Sequence, residues 1–218
     1  MADWEYGGSW RYHDMTGKIE LPNGSAVQVC DWTIDPLPEF MLEADTLFID
    51  PPWNIGNVKS FYTKADKQTR HDDFISFCNF LCFAIGAIKP DTVFIEMGKQ
   101  HIGWWLERMA LMFRSVTFYN STYFHKRKNK CYVIQASNTI RKRHANLEDL
   151  DEEDIIAWLC ANHGYSCIGD LCMGRGLVGR HAYRNGRRFV GTELNPKRLA
   201  VLVEFIAKEE RKRGQSSE

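Results

Sequence analysis

Two short strings in this chain hold residue types that can do chemistry. Asp50-Pro51-Pro52-Trp53 lies early; Asp170-Leu171-Cys172-Met173-Gly174-Arg175-Gly176 lies late and is followed by Phe189-Val190-Gly191-Thr192-Glu193-Leu194-Asn195-Pro196. In the first string, two prolines remove two backbone donors and hold the chain extended. The carbonyls then face outward with no internal competitor. The Asp50 carboxylate and the Pro51 carbonyl can each accept one hydrogen of an amino group. An amine on an aromatic ring, such as that of adenine, is a poor nucleophile because its lone pair is delocalised. Two acceptors would favour its pyramidal form and aim the lone pair. The gain comes from positioning and from stabilising charge that develops on nitrogen, with no covalent intermediate. Trp53 offers a face for stacking on a base. The plainer alternative is a strand-to-loop turn with a buried tryptophan.

The second string has the form of a nucleoside site. After Asp170 the chain must turn sharply from strand to helix, and Gly174 and Gly176 permit that turn and a close backbone approach to a ligand. Glu193 ends the next predicted strand, where an acidic side chain can bind both ribose hydroxyls. There is no third glycine and no phosphate-binding lysine, which argues against a dinucleotide or ATP. S-adenosylmethionine (SAM) has no phosphate and suits the pattern better.

Strands and helices alternate around these strings. Ile19–Leu21 and Ala26–Val29 flank an Asn23-Gly24 turn and read as a hairpin. Thr46–Ile49 and Thr92–Ile95 are short apolar runs, as buried parallel strands require. Residues 54–70 are polar and lysine-containing and read as a loop. Apolar positions at helical spacing over 71–88 (Phe74, Phe77, Leu81, Ile85, Ile88) predict a helix ended by Lys89-Pro90. A helix is expected over His101–Phe113. Val116–Phe124 and Cys131–Gln135 are β-rich and joined by the basic run His125–Lys130; a second basic stretch, Arg141–His144, is loop-like. A helix over Leu150–Asn162 opens on acidic residues that suit its dipole. Ser166–Asp170 and Arg188–Glu193 read as strands, Leu177–Asn185 and Pro196–Lys212 as helices. This pattern predicts a three-layer α/β fold with a mostly parallel sheet, in which ligands bind beyond the carboxyl ends of the strands. Asp50, Glu96, Asp170 and Glu193 all fall at or just past such ends.

Composition narrows the class. The 218 residues suffice for one domain, 44% hydrophobic and 26% charged, as in an ordinary globular protein. Lys+Arg and Asp+Glu both number 28, so nucleic-acid contact would have to use local basic patches. Neither a signal peptide nor a membrane span is apparent. Seven cysteines without a CxxC pair fit a reducing cytoplasm. Core packing accounts for His163, Cys167 and Cys172, and for Cys78 and Cys82, so no metal is expected.

Asp50–Trp53 together with Asp170–Gly176 and Gly186–Pro196 resembles the SAM-dependent amino-methyltransferases of the DNA N6-adenine/N4-cytosine family. The resemblance covers about Val27 to Glu204. The catalytic string precedes the cofactor string, which matches the permuted beta class and implies a Rossmann-like fold in circularly permuted order. The family's cofactor string reads closer to D-P-F-x-G-S-G-T-T; here Leu171, Cys172, Arg175 and Leu177 depart from it. The resemblance implies catalytic roles for Asp50, Pro51, Pro52 and Trp53. It implies cofactor contacts for Asp170, Cys172, Gly174, Gly176, Glu193 and Asn195, and for Asp31, which would meet the cofactor's adenine unless it is a simple turn aspartate. Aspartate at the first catalytic position goes mostly with adenine N6 in this family, serine with cytosine N4.

The expected organisation is one methyltransferase domain over 1–218, with an aromatic arm at 1–17 (Trp4, Tyr6, Trp10, Tyr12), a core at 27–204 and a helix end and tail at 205–218. No inserted target-recognition domain is evident. A base in a duplex must be flipped out before methylation. Asn54, Lys59, Tyr62 and Lys64 would close over it, and Lys126, Arg127, Lys128, Arg141 and Arg143 would meet phosphates unless they are solvated surface. DNA is the expected partner of a monomer or homodimer of bacterial or viral origin. RNA or single-stranded DNA is the alternative, and a catalytically silent relative is the alternative of another class.

Overall fold

Strand alternation sorts the central apolar runs onto two faces. Leu47 and Ile49 point to one side and Phe48 to the other, as a period of two demands. In the computed structural model, which describes residues 5–139 and 143–215, these residues form β3 of a nine-stranded sheet. The chain begins with the expected hairpin, β1 (Lys18–Leu21) and β2 (Ser25–Val29), then β3 (Thr46–Ile49), α1 (Ile55–Lys64), α2 (Phe74–Ile88) and β4 (Thr92–Met97). It continues through α3 (Ile102–Met112), β5 (Ser115–Tyr123), β6 (Lys126–Ser137), β7 (Leu150–Asp151), α4 (Glu152–Asn162) and β8 (Cys167–Asp170), and ends with α5 (Leu177–Arg184), β9 (Arg188–Glu193) and α6 (Pro196–Gln215).

The sheet order is β1-β2-β9-β8-β3-β4-β6-β5-β7. β2, β9, β8, β3 and β4 run parallel to their neighbours in that order, whereas β1 and β6 are antiparallel to β2 and β4. Helices α1, α2 and α3 pack on one face through Val58, Phe77, Leu81 and Trp105. Helices α4, α5 and α6 pack on the other through Ile155, Val178, Leu199 and Leu202. The expected three-layer α/β architecture is therefore present. β8 leads on to β9 on one side and β3 leads to β4 on the other, so the β8–β3 boundary is the topological switch point where α/β sheets open a ligand crevice.

Two local expectations are overturned. The stretch read as a loop from Asn54 is mostly helix α1. Asn54 caps it by accepting from the Asn57 N–H at 2.9 Å, and Val58 and Tyr62, one turn apart, are buried. The basic run after Phe124 belongs to strand β6, not to a connection. The turn itself is Phe124-His125, both at positive φ (58° and 52°), a conformation usually signalled by Asn or Gly, which are absent there. The arm folds as a short 3-10 segment, Tyr6–Tyr12, against α6: Lys197 pairs with Glu5 at 2.9 Å and His13 with Glu204 at 2.7 Å. Trp4 lies outside the described residues. Among the described residues no helix is long and apolar enough to cross a membrane.

Gly169 lies at the centre of β8, where a Cβ would come within 2.5 Å of Leu47 Cδ2 and 2.8 Å of Ala44 Cβ. Gly169→Ala should therefore destabilise the protein by about 1–3 kcal/mol through overpacking. Urea denaturation against Gly164→Ala, whose added Cβ meets nothing within 4 Å, is the check.

Candidate active site

At the switch point the strand ends open into a cavity of about 680 Å³. Asp50 (after β3), Glu96 (β4), Asp170 (end of β8) and Glu193 (end of β9) all line it, as do Asp31, Trp53, Cys172 and Gly174. The two strings, far apart in sequence, thus meet because β3 and β8 are hydrogen-bonded neighbours.

The late string builds one half. Gly174 and Gly176 have φ of +56° and +77°. A Cβ on Gly174 would come within 2.7 Å of the Arg198 guanidinium, and one on Gly176 within 2.7 Å of Leu202. The turn they permit aims the Gly174 N–H at Glu193 Oε2 (2.6 Å), and the Asn195 N–H meets Oε1 at 3.0 Å. Glu193 is so fixed at the cavity wall with accepting capacity left on each oxygen. Burial raises its pKa, opposed by Arg198 and by these N–H bonds. Asp170 accepts from the Cys172 N–H at 2.9 Å, and burial pushes its pKa up to about 8, with Asp50 and Glu193 adding repulsion. The Cys172 thiol is driven far above its ordinary range by burial, which leaves it a neutral wall. Asp31 Oδ1 accepts from the Thr33 and Tyr62 hydroxyls at 2.7 and 2.8 Å, while its Oδ2 is buried with no partner.

The early string builds the other half. Asp50 is exposed to the open cavity. Partial desolvation by the surrounding cavity wall raises its pKa to about 6, opposed by a hydrogen bond from Trp53 and by Arg198. That bond runs from Trp53 Nε1 to Asp50 Oδ1 at 3.2 Å. One side of the Trp53 ring lies against Gly98, where a Cβ would approach to 2.8 Å. Tyr123 stands 5.3 Å from Trp53, ring centre to ring centre, and Phe124 stands 4.0 Å from Tyr123. These three rings form an aromatic rim beside Asp50.

Several anticipated residues lie elsewhere. Asn195 caps α6 by accepting from the Lys197 N–H and donates to the Lys64 carbonyl at 2.7 Å, away from the cavity lining. Asn54 caps α1, Lys59 is exposed on that helix, and the Lys64 ammonium lies 5.4 Å from the Phe61 ring centre. None of the three lines the cavity; Asn57 and Phe61 from the same helix do. Tyr62 does line it, but its hydroxyl serves Asp31 rather than the region of Asp50. Lys126, Arg127 and Lys128 are exposed on β6 beyond the aromatic rim. Arg143 is tied to Glu148 and to the Phe118 carbonyl, and Arg141 lies outside the described residues. Sequence reading assigned no role to Glu96, although its strand-end position is visible. It missed Tyr123, Phe124, Glu152 and Arg198, which no local pattern marks.

No protein-family model and no curated protein matches the chain. Solved structures do match its fold. TTHA0409 from Thermus thermophilus, complexed with S-adenosyl-L-methionine, superposes with a TM-score of 0.59 at 14% identity, over 88% of this chain and 94% of that one. M1.HpyAVI gives 0.57 at 13% identity over 83% and 97%. PvuII DNA methyltransferase, cytosine-N4-specific, gives 0.50 at 12% over 87% and 86%. The fold is that of the permuted, beta-class SAM-dependent methyltransferases, with a Rossmann-like mixed α/β core.

Asp170→Asn keeps the acceptor for the Cys172 N–H and removes a carboxylate whose charge burial disfavours. Because Asp170 titrates near 8 when folded and near 3.8 when unfolded, its contribution to stability is lost as pH rises from about 4 through 8. At pH 8 the ligand-free variant should melt about 2–4 °C higher, the worth of roughly 1 kcal/mol in a domain of this size. At pH 4 the difference should vanish. Calorimetric melting at the two pH values is the check.

Proposed function

We propose that the protein is a SAM-dependent methyltransferase that modifies an exocyclic amino nitrogen of a nucleic-acid base, with adenine N6 in DNA as the preferred target. The observation that carries this reading is the meeting of Asp50-Pro51-Pro52-Trp53 and the Asp170–Glu193 turn in one cavity.

The residues present fit the cofactor. Gly174 at positive φ turns the chain so that its N–H fixes Glu193, Glu193 has accepting capacity for a ribose diol, and the unpartnered Asp31 Oδ2 needs a donor, which an adenine amino group supplies. When bound, SAM supplies an electrophilic methyl on a sulfonium. Asp50 and the Pro51 carbonyl accept the two amino hydrogens and orient the lone pair. Trp53 holds the Asp50 carboxylate through its indole N–H and presents a ring edge and face to the base. With SAM bound, the methyl's bond to sulfur would break as its bond to nitrogen formed, leaving a neutral thioether, and the positive charge growing on nitrogen would be stabilised by Asp50 beside it. The proton would then pass from that nitrogen to water at the open side of the cavity. Several carboxylates kept in a cavity against the pull of hydration suit a working site better than a silent relative.

DNA accords with the neighbours' descriptions, and aspartate at position 50 favours adenine over cytosine. Single-stranded DNA or RNA is the second reading. It is favoured by Phe124, 62% exposed at the rim, followed by Lys126–Lys128, since stacking on an aromatic beside basic residues captures unpaired bases.

Incubation with methyl-labelled SAM and duplex DNA, single-stranded DNA or RNA, followed by digestion to nucleosides, should place label in N6-methyladenosine species. Label in no nucleoside would sink the proposal. Asp50→Ala should lower kcat at least about 100-fold while SAM binding by calorimetry stays within a few-fold. The wild-type rate should fall as pH drops through about 6, where Asp50 takes up a proton and stops accepting from the amine.

A further inference from the structure

Beside Asp50 the cavity holds two acids that the mechanism above does not use. Glu96 and Glu152 are 1% and 7% exposed, and each has a buried oxygen without a partner, Oε1 of Glu96 and Oε2 of Glu152. One carboxylate oxygen from each, together with Cys131 Sγ, lie within 4.8 Å of one another. Ile49 of β3 pairs with Ile95 of β4, so Glu96 occupies the position next to Asp50 across the sheet. Glu152 opens α4, whose preceding residue, Asp151, accepts from the His125 N–H and the Thr122 hydroxyl and so anchors the hairpin that carries Tyr123 and Phe124. Both acids line the cavity.

The groups facing the pair are Asp50, Asp151, Glu153, Tyr123 and Cys131. Among the described residues neither acid forms an ion pair with a Lys or Arg; Arg198 lies nearer Asp50, Asp170 and Glu193. Two ionised carboxylates this close and this dry repel each other, so the pair retains protons. Burial, then Asp50 and Glu152, raises Glu96 well above the carboxylate range; burial, then Asp151, takes Glu152 to about 8.

We infer that Glu96, buried at the cavity wall beside Glu152 with an unpartnered oxygen, donates its O–H to the ring nitrogen adjacent to the target amine. This rests on the methyltransferase reading. Adenine and cytosine carry an acceptor nitrogen at that place. Guanine and thymine carry an N–H, which meets the donor unfavourably and leaves a buried group unpaired. The pair thereby restricts the substrate class to adenine and cytosine before Asp50 acts. It adds a specificity residue, not a reacting one.

The test uses oligonucleotides carrying adenine or 1-deazaadenine, in which that nitrogen is a C–H. The wild type should lose about tenfold in kcat/KM on the deaza base beyond its intrinsic reactivity difference, the size of one hydrogen bond. Glu96→Ala should show no such extra loss, because the donor is already gone. Glu96→Gln retains an N–H donor and should restore the preference, which a purely structural role would not do. Infrared spectra at neutral pH should show a protonated carboxyl band in the wild type that weakens in Glu96→Gln. Glu96→Ala with the full wild-type preference, or the absence of that band, would overturn the inference while leaving methyl transfer intact. So would a stoichiometric divalent ion retained by the wild type and lost by Glu96→Gln, since the same atoms would then be ligands. Wild-type protein inert on both oligonucleotides removes the methyltransferase reading and this inference with it.

Discussion

The structure depends on keeping acidic side chains together in a cavity that water only partly reaches. Asp31, Glu96, Glu152, Asp170 and Glu193 are all buried, and Asp50 borders the same space. Their mutual repulsion is offset by backbone N–H donors, by the Thr33 and Tyr62 hydroxyls on Asp31, by the Trp53 indole and by Arg198. Gly174 and Asn195 hold Glu193, Cys172 holds Asp170, and Trp53 holds Asp50. Arg198 is the cation that lies near three of them. Each backbone donor exists only because a strand has ended and the chain has turned. The electrostatics are therefore inseparable from the topology, and parallel strands ending side by side are what gather the acids.

That topology also explains why the order of the strings does not matter to the site. β8 and β9 come late in the chain, yet they lie between β2 and β3 in the sheet. A cavity at strand ends is defined by lateral neighbours rather than by chain order. The hairpin β1–β2 closes one edge and brings Asp31 to the cavity just past β2, with Cys30 N–H bonded to the Glu193 carbonyl. The arm Tyr6–Tyr12 then packs on α6, with Arg175 5.1 Å from the Tyr6 ring centre, so the outermost layer also reaches the half of the cavity built by the late string.

What sequence reveals and what it hides follow from the range of the interactions. The parallel strands were legible because Thr46–Ile49 and Thr92–Ile95 are short apolar runs, and α2 because its apolar residues repeat at helical spacing. Helix α1 was hidden by Gly56 and its lysines, which mask a cap at Asn54 and a narrow buried stripe of Val58 and Tyr62. The Phe124-His125 turn lacks turn residues; Asp151, distant in sequence, fixes it from outside. Glu152 looks in sequence like an ordinary first-turn acid suited to a helix dipole. Only folding sets it against Glu96, and no local pattern encodes that meeting. Arg143 reads as a phosphate ligand because its neighbours are basic, but Glu148 and the Phe118 carbonyl engage it first.

The same contrast bears on how a base would enter. The lysines of α1 stay out of the cavity lining, and α1 contributes Asn57 and Phe61 to it instead. The opposite rim is the β5–β6 hairpin, with Tyr123 partly buried beside Trp53 and Phe124 exposed. The exposed Lys126–Lys128 segment follows directly. A base arriving over that rim would meet rings before carboxylates, and its backbone would run toward the lysines. Stacking would thus replace the base's lost neighbours before the amine reaches Asp50, which lowers the penalty of holding it outside a helix. On the proposed reading, this rim would do the capturing and the acids behind it the choosing.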